Sequence, residues 1–102
     1  MITHVVLLQP KVSTSIEELT TFFEHVQALQ ELIPGILSLT VGENRSEFNG
    51  GFTHGIITRF VDESHLDAHH SHPAHVAVVI EMNRICRHSI DFDLPETAEQ
   101  HF

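Results

Sequence analysis

The sequence predicts an α+β domain with the element order β-α-β-β-α-β, and three observations carry that prediction. Short runs rich in β-branched residues alternate apolar and polar positions near Ile2, Ile36, Phe52 and His88. Apolar residues recur instead at helical spacing between Ser15 and Ile33 and again after Pro73. Pro34-Gly35, the polar stretch 44–51 and Pro73 punctuate the boundaries between them.

Residues 2–9 read as the first strand, with His4, Val6 and Leu8 on one face and Val5 and Leu7 on the other, ending at Pro10. A helix follows, because Thr14 with Glu17, or Ser15 with Glu18, has the spacing of a capping box. Its apolar side holds Ile16, Leu19, Phe22, Phe23, Val26, Leu29, Leu32 and Ile33, and Pro34-Gly35 stops it. Residues 36–43 alternate again, with Leu37, Leu39 and Val41 expected on one face, and 44–51 form a loop. The third strand spans 52–61 and puts Phe52, His54, Ile56, Thr58 and Phe60 on a shared face. Asp62 caps a short helix to about His70, and Pro73 opens another that runs to about Arg87 with Val76, Val79, Met82, Ile85 and Cys86 inward. Residues 88–94 make the last strand. The domain is expected over 1–95, with 96–102 a polar tail that frays from Pro95 onward.

This order is the ferredoxin-like arrangement, a four-stranded antiparallel sheet with helices on one face. Its other face keeps Val5, Leu7 and Ile57 apolar, a patch that a second copy of the chain would cover, sheet against sheet.

Composition narrows the function classes. The 102 residues suffice for one domain with a modest core. Fourteen acidic and five basic residues give a net charge of −9, which repels a phosphate backbone, so nucleic acid is not an expected partner. No apolar run is long enough for a bilayer, and the first residues lack the features of a signal peptide, so a cytoplasmic protein without membrane association is expected. The one cysteine, Cys86, sits among apolar positions and reads as a buried, inert thiol.

The densest chemistry lies in HLDAHHSHPAH, where five of the ten histidines fall within residues 65–75. Imidazole donates, accepts or ligates near neutral pH. The pairs His65/His69 and His72/His75 have spacings that chelate a metal on one helical face, with Glu63 and Asp67 as added oxygen donors. Pro73 separates the pairs and neither belongs to an HExxH pattern, so no dedicated metal site is expected. His72 precedes Pro73 and suits a capping role, and His65 and His70 read as surface residues. His4 and His54, each on a strand, read equally well as satisfied core histidines or as lining of a site. No motif calls for flavin, haem or another cofactor.

Thr3-His4-Val5-Val6-Leu7, Ile33-Pro34-Gly35-Ile36, Gly42-Glu43-Asn44, Phe52-Thr53-His54-Gly55, His72-Pro73-Ala74-His75 and Asp91-Phe92-Asp93 stand in the order and spacing of one family. Over residues 2–94 the chain resembles the stress-responsive dimeric A/B barrel domain, known as Dabb. The resemblance implies a homodimer whose two sheets close one barrel. The family contains plant stress proteins, bacterial members without known activity, and a plant polyketide cyclase. In that cyclase the histidine ending HPAH is the general base, with a tyrosine six residues before it. The resemblance carries the base to His75, whereas the tyrosine position holds His69 in a chain that has no tyrosine. It also implies that His4 and His54 line the pocket and that Asp93 lies near the base.

Three readings follow. The favoured one is a homodimer that binds a small apolar or carbonyl-containing molecule, with Ile56, Val76 and Val79 among the apolar walls. The second is a cofactor-independent cyclase, lyase or isomerase. There His75 takes a proton alpha to a carbonyl, Asp93 fixes its tautomer, and His4, His54 or His69 donates to the oxyanion. The third is a histidine-rich metal-binding or purely structural stress protein, with Phe22, Phe23 and Phe52 filling the space a pocket would occupy.

Overall fold

A computed structural model describes residues 1–96. The elements run β1 (Ile2–Pro10), α1 (Ile16–Leu32), β2 (Ile36–Glu43), β3 (His54–Phe60), α2 (Glu63–His69), α3 (Pro73–Ile85) and β4 (Cys86–Pro95). The four strands form one antiparallel sheet in the order β2-β3-β1-β4. This is the ferredoxin-like layout, with the second helical segment divided into α2 and α3.

Of the two possible capping boxes, the chain uses the later one. The Glu18 N–H donates to Ser15 Oγ, and the Ser15 N–H donates to Glu18 Oε1. Thr14 is diverted, since its hydroxyl donates to the Ile85 carbonyl at 2.6 Å and ties the start of α1 to the end of α3. The helix ends at the capping residue Ile33, and Gly35 turns the chain into β2 at a φ of 88°.

Core residues come from the helix-facing positions of the strands. Val6, Leu8 and Ile56 pack beneath Phe22, Val26 and Ile85, with Cys86 at the margin. Ile2, Phe60 and Leu66 make a smaller cluster, against which Ile36 packs. Leu8, Phe22 and Phe60 have no exposed surface, so truncating Phe22 to alanine would cost about 3–5 kcal/mol. Cys86 is buried as expected, and burial pushes its thiol pKa up.

Several boundaries and faces differ from the sequence reading. In β2 the register slips between Ile36 and Ser38, so Leu37 is an extra residue. Ile36, opposite Phe60, joins Leu39 and Val41 on the core side, while Leu37 is exposed. The third strand begins at His54 and not Phe52, because the Phe52 N–H donates to the Asn49 carbonyl and closes the Gly50-Gly51 turn. Helix α3 stops at Ile85, and β4 takes over at Cys86, where pairing with Pro10 across a bulge fixes the crossing. On α3 the core side is carried by Val78, Met82 and Ile85, and Val76 stays 43% exposed instead of packing into the core.

Pro95 and Glu96, at the start of the expected tail, are tied to the sheet. Pro95 pairs with Ile2, the Glu96 N–H donates to the Met1 carbonyl, and Arg59 donates to Glu96 Oε2 at 2.9 Å. The remainder of the expected tail, 97–102, lies outside the described residues.

On the side of the sheet away from the helices, Ile57, Ile90, Phe92 and Leu94 are each close to half exposed. Registers Val5↔Ile57, Val5↔Phe92 and Leu7↔Ile90 put them on one face with Val5 and Leu7. No described helix is long and apolar enough to cross a membrane.

Candidate functional site at the histidine end of the sheet

A cavity of about 400 Å³ opens between the helix-facing side of the sheet and the helices. Its walls include Val6, Ile56, Phe60, Val76, Val79 and Ile80, and its polar end is built from His4, His69, His70 and His75. Phe22, Phe23 and Phe52 do not line it, so the space they were expected to fill in a purely structural protein stays open.

Each histidine arrives from a different local cause. His4 sits on the inward face of β1 and is 6% exposed. His69 closes α2 and His70 is its C-cap, while Ser71 and His72 break the helix before Pro73 starts α3. His75, in the first turn of α3, is thereby folded back over His69, with ring centroids 4.2 Å apart. The His69 and His70 rings lie 4.4 Å apart, and His4 and His69 meet edge to face at 5.4 Å.

Hydrogen bonds fix the roles of the ring nitrogens. His69 Nδ1 donates to the Leu66 carbonyl and His75 Nδ1 donates to the His70 carbonyl at 3.2 Å. A carbonyl only accepts, so both Nδ1 atoms carry the proton and both neutral rings keep a lone pair on Nε2. Burial is the main reason that His69 has a pKa lowered to about 4, and the neighbouring His75, His70 and His4 push it the same way. Burial likewise lowers the pKa of His75. These two rings are therefore neutral bases at pH 7.

Asp93 is not the partner of His75. Antiparallel pairing sets Asp93 opposite His4, where Asp93 Oδ1 accepts from His4 Nδ1 at 2.5 Å. The carboxylate that lines the cavity is Asp91, one step along the same face of β4 and missed by the sequence reading. Its alternation with Asp93 is the signal that could have found it.

His54 stands apart from the site. It pairs with Leu8, four residues along β3 from the Thr58 that pairs with His4, and its ring lies 5.8 Å from Phe23. Its Nδ1 is bonded to Thr53 Oγ1 at 2.9 Å. Sharing a strand face with Thr58 therefore does not bring it to the cavity.

His65 and His72 are structural. His65 Nδ1 donates to Asp62 Oδ1 at 2.7 Å, and His72 Nδ1 accepts from the Ala74 N–H as the cap of α3. His70, expected on the surface, is exposed but lines the cavity. The pairs that spacing suggested, His65/His69 and His72/His75, are thus divided by the fold. Ring nitrogens of His69, His70 and His75 gather instead, all within 4.8 Å of one another.

The sequence profile of the stress responsive A/B barrel domain matches residues 2–96. No curated protein matches the sequence. Among solved structures, the Arabidopsis thaliana protein At3g17210 superposes with a TM-score of 0.89 at 21% identity, covering 99% of this chain and 100% of that one. A dimeric ferredoxin-like protein of unknown function from Jannaschia sp. CCS1 gives 0.83 at 23% identity, over 93% and 98% of the two chains. The hydroxynitrile lyase of Passiflora edulis gives 0.89 at 15% identity, over 98% and 96%. At such identities these likenesses establish the shared fold alone.

Proposed function

The chain belongs to the stress responsive A/B barrel family, and from that premise we propose that it is a homodimer binding a small, mostly apolar, carbonyl-containing molecule in the histidine-ended cavity. One observation carries this reading: the cavity of about 400 Å³ has mostly apolar walls and gathers four histidines among its polar groups. Such a space suits an alkyl or aryl body with one hydrogen-bonding group. The apolar outer face of the sheet supports the dimer, as does the dimeric state of the Jannaschia relative.

A second reading, acid/base catalysis, is favoured by the tautomers. His75 offers an unprotonated Nε2 and serves as the base that removes a proton alpha to the carbonyl, leaving the electron pair on the carbonyl oxygen as an enolate. His69 is in the wrong tautomer to donate to that oxygen, and His54 is remote. His4 lines the same cavity with its Nδ1 bonded to Asp93, a carboxylate that would stabilise the ring as a cation and so as a donor to the oxyanion. The Passiflora relative is a lyase on the same fold, which makes carbonyl chemistry in such a cavity a reasonable class to test.

The test is an NMR titration of the tag-free protein with a panel of aryl and alkyl ketones, with EDTA present throughout. Saturable shifts at His4, His75 and Val79, lost in Val79→Trp, are the expected result. A panel without saturable binding, or shifts that survive the filled cavity, would remove the proposal.

A further inference from the structure

We propose that His69, His70 and His75 form a site for a divalent transition metal of zinc's class, with three imidazole ligands and an open position toward the apolar cavity. One ring nitrogen of each already lies within 4.8 Å of the others, and three such nitrogens on a tetrahedral ion stand about 3.3 Å apart. The remaining closure of roughly 1–1.5 Å is within reach of side-chain rotation. His70 supplies it most readily, since its ring is exposed and makes no hydrogen bond among the described residues.

A second observation distinguishes this trio from surface histidines that meet by chance. A ligating histidine typically gives its other N–H to a carbonyl or carboxylate, which fixes the ring and its tautomer. His69 does so to Leu66, and His75 does so to the backbone carbonyl of His70. Both rings thus keep Nε2 for a ligand. His72 accepts the Ala74 N–H at Nδ1 and so carries its proton on Nε2, and neither it nor His65 belongs to the cluster of ring nitrogens.

The remaining surroundings suit an ion that also meets a substrate. Asp91 and His4 line the same cavity and can hold a metal-bound water or a ligand oxygen, while Val76, Val79 and Ile80 form the apolar side. Three imidazoles with an open position select zinc, cobalt, nickel or copper over magnesium or calcium, which prefer oxygen donors. A net charge of −9 favours a cation in general. The site would occupy the His75 Nε2 lone pair that the acid/base reading requires, so the two compete for one atom. Metal binding does not depend on the organic ligand.

The experiment is a titration of the tag-free, EDTA-stripped full chain with Co²⁺, followed by competition with Zn²⁺. One Co²⁺ per chain is expected, with the visible absorption of a four-coordinate nitrogen site and broadening of the His69, His70 and His75 ring signals. His70→Ala and His75→Gln should each weaken binding by about 100-fold or more, and His25→Ala and His88→Ala should leave it unchanged. Circular dichroism shows that each variant is folded. No binding at one equivalent, a six-coordinate spectrum, or affinity that survives His70→Ala would overturn the site. Because ketone binding is measured with EDTA present, failure of the metal proposal and failure of the cavity proposal are separate results.

Discussion

His4 and Asp93 face each other directly across β1 and β4, and the ring Nδ1 lies 2.5 Å from the carboxylate oxygen. The strands make this pair unavoidable, because both residues fall on the helix-facing side at the same register position. His4 is buried while Asp93 keeps 38% of its side-chain surface, so the carboxylate reaches inward from the sheet's edge strand to orient a buried ring.

Replacing Asp93 with asparagine should therefore leave the fold intact and free the His4 tautomer. Nitrogen chemical shifts of the His4 ring would report the change. Affinity for a carbonyl ligand should fall about tenfold, the cost of losing a hydrogen bond to a charged group. Unaltered His4 nitrogen shifts would show that Asp93 does not control the ring.

Acid should destabilise the protein through His69. Above about 6.5 its ring is neutral whether the chain is folded or not. Between there and about 4 the unfolded chain binds a proton that the folded chain refuses, so stability falls as the pH drops. His75, lowered for the same reason, adds to the effect. The urea midpoint should be lower at pH 5 than at pH 7, and His69→Leu should flatten that dependence.

Gly35 should resist substitution. Its φ is +88°, and an added Cβ would stand 2.5 Å from the Cβ and Cγ of His65. Gly35→Ala is expected to cost more than about 1 kcal/mol by chemical denaturation, from backbone strain and the clash together. Adding His65→Gly, measured against His65→Gly alone, should recover only the clash, leaving the strain. Full recovery would mean that the backbone angle costs nothing.

The two motif histidines should separate cleanly. His75→Ala is expected to abolish any turnover and weaken ligand binding while leaving the proposed dimer intact. His54→Ala should change ligand affinity less than about twofold, in keeping with its place outside the cavity. Equal effects of the two substitutions would contradict the separation.

The outer sheet face should govern assembly. Phe92→Asp or Ile57→Asp places a charge on the apolar face and should convert the proposed dimer to monomer, read by light scattering. A dimer that persists in both variants would place the interface elsewhere.

Alternation and capping chemistry made much of this molecule legible before its structure. Period-two runs located four strands, and Ser15-to-Glu18 spacing marked the start of α1. Pro73 located the break between α2 and α3, and His72 declared its capping role. These are local properties, set by a few adjacent residues. Leu37 escaped because a bulge depends on how β3 pairs with β2, and periodicity within one strand carries no record of its partner.

The candidate site was legible in its residue types but not in its pairings. His4, His69 and His75 were singled out, and all three line the cavity. Asp93 was assigned to His75, yet the β1–β4 register gives it to His4. His54 shares a strand face with Ile56 but lies too far along β3, and His70 was set aside as surface although the turn before Pro73 swings it to the cavity. The sequence by itself determined the elements, their order and a histidine-rich segment, because helix, strand and turn preferences act over a few bonds. Only the tertiary structure decided which imidazoles meet and which carboxylate orients which ring, because cross-strand register and the angle between two short helices arise from packing between distant segments.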